Sequence, residues 1–190
     1  GKHGKSFDML TLSAHKLGGP QGIGALILPG KIDMQAQITG GAQEKNRRAG
    51  TENVSGIVGF GVACELAKAA EKQTETALEG LLTKELKAAS LPTQIVGADE
   101  KRAGHIHQLI TPNLRSEDAL VALDLAGICV SQGSACSSGR SEPSHVLLAM
   151  GYSPEEAVCG LRVSTGWNTT EDDIKTFVTT FADVYKRLVK

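Results

Sequence analysis

A two-domain α/β protein is predicted by three features of the sequence. Short apolar runs of strand length recur along it, helical segments with apolar residues spaced by four lie between them, and glycine-rich loops mark the junctions. The chain has 190 residues, of which 41% are hydrophobic. That length suffices for one large domain or for parts of two, with an ordinary core. A net charge of −1 argues against nucleic acid or an anionic membrane as a partner, because both select a basic surface. No apolar run approaches the roughly 18 residues of a membrane span.

Phe7 to Ser13 reads as a short buried strand and Gly24 to Leu28 as a second, with a Gly-Pro-Gln-Gly turn between them. Gly40 to Gly50 is a polar loop carrying Lys45, Arg47 and Arg48. A helix starts near Asn53, with an apolar face of Val54, Val58, Val62 and Leu66 that resumes at Leu78, Leu82 and Leu86. The polar stretch Glu71 to Thr76 bends it. A helix of this length suits a connection between domains, so the boundary is expected near Ser90-Leu91-Pro92, giving domains 1–90 and 91–190.

In the second domain, Gln94 to Val96 and Ile106 to Ile110 read as strands, and Ser116 opens a helix carrying Leu120, Leu123 and Leu125. Ser131 to Ser141 breaks all periodicity and reads as loop. Pro143 stands where a helix would begin, and Leu161 to Ser164 is a strand. Thr170, with Asp173 three residues on, caps a final helix whose stripe is Ile174, Phe177, Val178, Phe181, Tyr185 and Leu188.

Four cysteines lie far apart with no Cys-x-x-Cys pair, which suits a reducing compartment better than a zinc site or a disulfide framework. Cys64 and Cys129 sit among apolar neighbours, as packing cysteines do. Cys136 lies in the small-residue run Gly133-Ser134-Ala135-Cys136-Ser137-Ser138-Gly139, where an exposed, reactive thiol is expected.

Three other segments carry chemical potential. In Ser13-Ala14-His15-Lys16-Leu17-Gly18-Gly19-Pro20 a lysine directly follows an apolar strand, and burial there would favour the neutral amine that a Schiff base needs. The bland alternative is a surface lysine entering a turn. Arg47-Arg48-Ala49-Gly50-Thr51-Glu52-Asn53 puts two arginines and a threonine before a helix start, a ready anion site, although Thr51 or Asn53 also serves as a simple cap. Arg162, inside Leu161-Arg162-Val163-Ser164, needs an anion nearby: a substrate carboxylate or a structural acid.

Taken in order, Ser-Ala-His-Lys, Arg-x-Gly-Thr-Glu-Asn, Gly-Ser-Ala-Cys and Leu-Arg-Val-Ser closely resemble the cysteine desulfurases of the class V aminotransferase superfamily, from about Phe7 to the end. The resemblance implies a fold type I pyridoxal-phosphate enzyme with a large α/β domain, a smaller C-terminal domain and a homodimer. By that likeness Lys16 would hold pyridoxal phosphate as a Schiff base. Ser13 and His15 would bind its phosphate, and Thr51 would reach the phosphate in the other subunit. Cys136 would take sulfur from L-cysteine as a persulfide, and Arg162 would grip the substrate carboxylate. The sulfur would pass to an iron–sulfur scaffold or a thiolation protein, in the cytoplasm.

Some residues depart from the family pattern: Ala42, Asn46 and the His105-Ile106-His107 run. The two histidines would share a strand face as metal ligands only if a third ligand joined them, and none is evident; no metal is expected. The family's chain is also about twice as long, and its other half supplies the aspartate that pairs the pyridinium nitrogen. The opening Gly1-Lys2-His3 reads as a cut chain; lacking the cofactor contacts that the family's other half supplies, this polypeptide alone is expected to be inactive. A selenocysteine lyase or another class V enzyme, and a non-catalytic dimerisation or scaffold-docking fragment, are the rival readings.

Overall fold

The computed structural model describes residues 7–29, 32–70, 75–132 and 142–189. The chain divides into two units, Gly1–Glu71 and Lys72–Lys190. The division falls earlier than the expected boundary near Ser90. Helical spacing ran through to Leu86, but Leu78, Leu82 and Leu86 are buried in the core of the second unit. The described parts of that helical stretch are α2 (Val54–Ala70) and α3 (Glu75–Ala88), one in each unit.

In the first unit, β1 (Leu10–Ser13) pairs antiparallel with β2 (Gly24–Ile27), in a register that sets Ser13 opposite Gly24. The pairing is tight there, since a Cβ on Gly24 would stand 2.6 Å from the Leu12 carbonyl oxygen. Neither strand is the buried element expected: every residue of β2 is exposed. A two-stranded ribbon has no second layer to bury its faces. After the one-turn element α1 (Gln43–Asn46), α2 buries Gly56, Phe60 and Ala63. Its valine and leucine stripe points the other way, with Val58 60% and Leu66 66% exposed. The face that packs is the small-residue face, because there Gly59 meets Pro20 and Ala63 meets Gly19.

The second unit is a four-stranded antiparallel sheet in the order β3-β4-β6-β5. Its strands are β3 (Gln94–Ile95), β4 (Ile106–Ile110), β5 (Ser131–Gln132) and β6 (Gly160–Ser164). One face carries Leu109, Leu161 and Val163 into the main core, against α3, α4 (Ser116–Leu125) and α7 (Glu171–Leu188). The other carries Ile110 into a smaller cluster with Leu147 of α5 (His145–Ala149) and Ala157 of α6 (Pro154–Ala157). Alternation of side chains along a strand produces both cores.

The final helix follows its sequence signals. Thr170 accepts the Asp173 N–H at 3.2 Å while the Asp173 carboxylate accepts the Thr170 N–H at 2.8 Å, a reciprocal cap. Ile174, Phe177, Val178 and Phe181 are buried, and the rings of Phe177 and Phe181 stack with centroids 5.4 Å apart. Tyr185 and Leu188 only flank this core, Leu188 being exposed. Among the described residues no helix is long and apolar enough to cross a membrane.

His107, on the helix-packed face of β4, is fully buried, and neither ring nitrogen has a hydrogen-bond partner among the described residues. Burial pushes its pKa down. Glu79 opposes that shift, and Arg102 and His105 add to it. Arg102 is itself ion-paired with Glu79. The unfolded chain therefore takes up this proton first, so the stability tied to neutral His107 is fully present above the ordinary histidine value of about 6.5 and is lost as pH falls from there through the lower folded value. His107→Leu is expected to remove this acid dependence and to raise stability by about 1–2 kcal/mol at neutral pH, read by urea unfolding at a series of pH values.

Candidate active site

In the first unit, β1 ends at Ser13 and the chain turns at once through a 3₁₀ segment, Ala14–Leu17. Ala14 is the anchor: it is fully buried, its N–H donates to the Ile23 carbonyl at 3.1 Å and its carbonyl accepts the Gly19 N–H at 2.9 Å. Gly18 closes the turn at φ 77°, a conformation open to glycine at little cost. The turn throws His15 and Lys16 outward, and both are exposed, while Ser13 is half-buried. The burial expected around the Lys16 amine is thus not present in this unit, since a tight turn of four residues buries one of them and the ribbon beneath offers nothing to cover the rest. Among the described residues the side chains of Ser13, His15 and Lys16 have no hydrogen-bond or ion-pair partner.

Thr51 lies elsewhere in the same unit, on an open cleft of about 850 Å3 with Arg47, Arg48, Ile23, Leu26 and Phe60 in its wall. Ser13, His15 and Lys16 do not line it. Asn53, not Thr51, caps α2: its Oδ1 accepts the Gly56 N–H at 3.1 Å. The Thr51 hydroxyl has no partner among the described residues, so the capping alternative is met by Asn53 and leaves Thr51 facing the cleft.

Arg162 stands on β6, half-buried, opposite Gln108 of β4 and Ser131 of β5. Residues directly across a ladder share a face, so the three form a polar row on the side away from the main core. No acid pairs with Arg162 among the described residues. β5 occupies the start of the run read as loop, and the segment that follows it carries Cys136, which lies outside the described residues. The strand signal at Ser131-Gln132 was hidden because two polar residues on a sheet edge have no apolar alternation.

The other thiols also differ from expectation. Cys64 and Cys129 are exposed, not packed. Cys64 falls on the outer side of α2. Ile128 and Val130 turn inward and leave Cys129 facing out, the period of two of an extended chain. Cys159 is the buried one, its Sγ donating to the Glu155 carbonyl at 3.3 Å, and burial pushes its pKa up. Among the described residues no three His, Cys, Asp or Glu side chains are grouped to hold a metal ion.

The chain belongs to the class-V aminotransferase family, whose pattern matches residues 5–177. It is 38% identical over 185 residues to the putative cysteine desulfurase IscS 1 of Bacillus subtilis strain 168, covering 95% of this chain and 49% of that protein. The X-ray structure of the NifS-like protein from Rickettsia africae ESF-5 superposes with a TM-score of 0.80 at 36% identity, over 95% of this chain and 48% of that one. SspA in complex with cysteine matches with a TM-score of 0.61 at 30% identity, over 83% of this chain and 44% of that one. The chain spans about half the length of the curated relatives it matches. The fold is that of the NifS-like fold type I enzymes, and the family depends on pyridoxal phosphate.

The lysine turn rests on α2 at Gly59, where a Cβ would stand 2.6 Å from the Pro20 Cγ. Gly59→Ala is expected to displace that turn and to cost about 1–3 kcal/mol. Gly61→Ala, with nothing within 4 Å of its Cβ, should stabilise the same helix by about 0.5–1 kcal/mol. Urea unfolding of both variants checks the contrast, and equal effects would contradict it.

Proposed function

We propose that this chain is the cofactor-lysine and sulfur-accepting part of a pyridoxal-phosphate-dependent cysteine desulfurase. The observation that carries the reading is Arg162: a half-buried cation in a central strand, without an acid among the described residues, beside the strand that leads into the Cys136 segment. A guanidinium in that position fits a carboxylate supplied from outside, and its planar fork suits the carboxylate of an amino acid.

The donor sets fit the cofactor's two ends. Lys16 offers a primary amine for an aldehyde, with the Ser13 hydroxyl and the His15 ring unengaged beside it. Thr51, with Arg47 and Arg48 on its cleft, offers donors for a phosphate, which by the family likeness belongs to a second copy's cofactor. Pyridoxal phosphate, when bound, supplies an aldehyde that condenses with amines and a ring that accepts the electrons released at the substrate's Cα.

With the cofactor bound, the Lys16 amine would take the substrate's Cα proton; of the two protons that complete alanine, one at Cβ and one back at Cα, Lys16 would return one and the proton lost when the Cys136 thiol ionises would supply the other. Arg162 holds the carboxylate. The Cys136 thiolate attacks the substrate sulfur, so that an S–S bond forms as the Cβ–S bond breaks and the electron pair of that bond leaves with the carbon. Alanine departs and Cys136 keeps the sulfur as a persulfide, which a sulfur-acceptor protein such as an iron–sulfur scaffold then takes. The working unit in this reading is a homodimer, in the cytoplasm, where thiols stay reduced.

In the full-length enzyme, Cys136→Ala should keep the yellow cofactor band and abolish persulfide formation, whereas Lys16→Ala should lose the band. Sulfur transfer persisting in Cys136→Ala removes that residue from the reaction. Arg162→Ala should raise KM for cysteine roughly 10–100-fold, as expected for losing hydrogen bonds to a charged group. An unchanged KM would sink the carboxylate role.

A further inference from the structure

The loop that presents Thr51 is held in an uncommon conformation. Glu44, Lys45 and Asn46 all have left-handed backbone, with φ of 51°, 57° and 63°. Asn tolerates this region, but a left-handed turn costs other L-residues about 1–2 kcal/mol each. Such a conformation persists only where its surroundings fix it.

Three sets of bonds do so. The Ala49 N–H donates to the Ile38 carbonyl at 3.0 Å and closes the loop at its base. Within it, the Asn46 N–H reaches the Ala42 carbonyl and the Arg47 N–H the Glu44 carbonyl, each at 3.2 Å. Finally, the Gln43 Oε1 accepts the Gly50 N–H at 3.2 Å, across seven residues. Gly50 sits at φ 105°, and its amide is the last one before Thr51. Gly41 leaves room for the Gln43 carboxamide, because a Cβ there would lie 2.3 Å from Oε1.

We propose that Gln43 is a positioning residue for phosphate binding. Its carboxamide fixes the Gly50 peptide and so the direction in which Thr51 faces, and it secures the left-handed turn that brings Arg47 and Arg48 onto the same cleft. The inference rests on the reading above, in which Thr51 meets the cofactor's phosphate. Gln43 touches no substrate itself and acts through Gly50.

The test uses the 190-residue chain labelled with nitrogen-15 and titrated with inorganic phosphate, following the Gly50 and Thr51 amides. The unsubstituted chain should show saturable shifts at both. Gln43→Leu, which keeps bulk but has no acceptor, should weaken phosphate about tenfold and leave the thermal midpoint within about 2 °C. Gly41→Ala, which displaces the carboxamide without deleting it, should weaken phosphate to a similar extent. The double variant should be no weaker than either, since both remove one interaction. Phosphate binding unchanged in Gln43→Leu overturns the positioning role and leaves the Thr51 reading intact. Loss of binding in step with a large fall in midpoint also overturns it, in favour of a purely structural role. Absence of any phosphate response in the unsubstituted chain removes the Thr51 reading itself, and the role of Gln43 with it.

Discussion

A guanidinium can occupy a central strand only where the residues on either side of it are buried against something else. β6 meets that condition through strict alternation: Leu161 and Val163 enter the main core, and Arg162 is left for the opposite face. The five-residue register with β4 fixes the alternation, since a slip by one residue would bury the cation among leucines and expose the apolar pair. Gly160 tightens the same place, as a Cβ there would stand 2.6 Å from Leu147 and 3.0 Å from the Gln108 amide. Packing on one side of the sheet thus sets the chemistry available on the other.

The first unit works by close approach rather than by bulk. Its helix α2 turns Gly56, Phe60 and Ala63 inward, and the lysine turn lies on Gly59 and Ala63 with no room to spare. The same helix begins just after Thr51 and is capped by Asn53. One helix therefore begins beside the Thr51 loop and supports the lysine turn further along. The helix fixes the spacing between Thr51 and the lysine turn within a single chain.

Much of this was legible in the sequence where a local signal sufficed. The reciprocal cap of Thr170 and Asp173, the strand Ile106–Ile110 and the stripe from Ile174 to Phe181 follow from capping chemistry and periodicity, and each lies where expected. Four ordered motifs were enough to point to the family. Periodicity misled where packing uses small residues: the valines of α2 are spaced as a core face is, yet the glycine and alanine face is the one that packs. The same rule missed the exposure of Cys64, which shares a turn with those valines, and of Cys129, whose apolar neighbours alternate away from it. The exposure of Lys16 had no sequence signal, since a lysine after an apolar strand looks alike whether the turn folds inward or outward. The hold of Gln43 on Gly50 spans seven residues and depends on a backbone conformation that composition does not encode.

The exposure of Cys64 and Cys129 has a practical consequence for anyone counting sulfur on this polypeptide. Sulfane sulfur migrates between accessible thiolates, so any that reaches this polypeptide can come to rest on either surface cysteine. If Cys136 accepts sulfur as proposed, a stoichiometry per chain would overstate its loading. Exchanging both for serine disturbs no core contact, and it would leave Cys159, shielded by burial and bonded to Glu155, as a silent bystander.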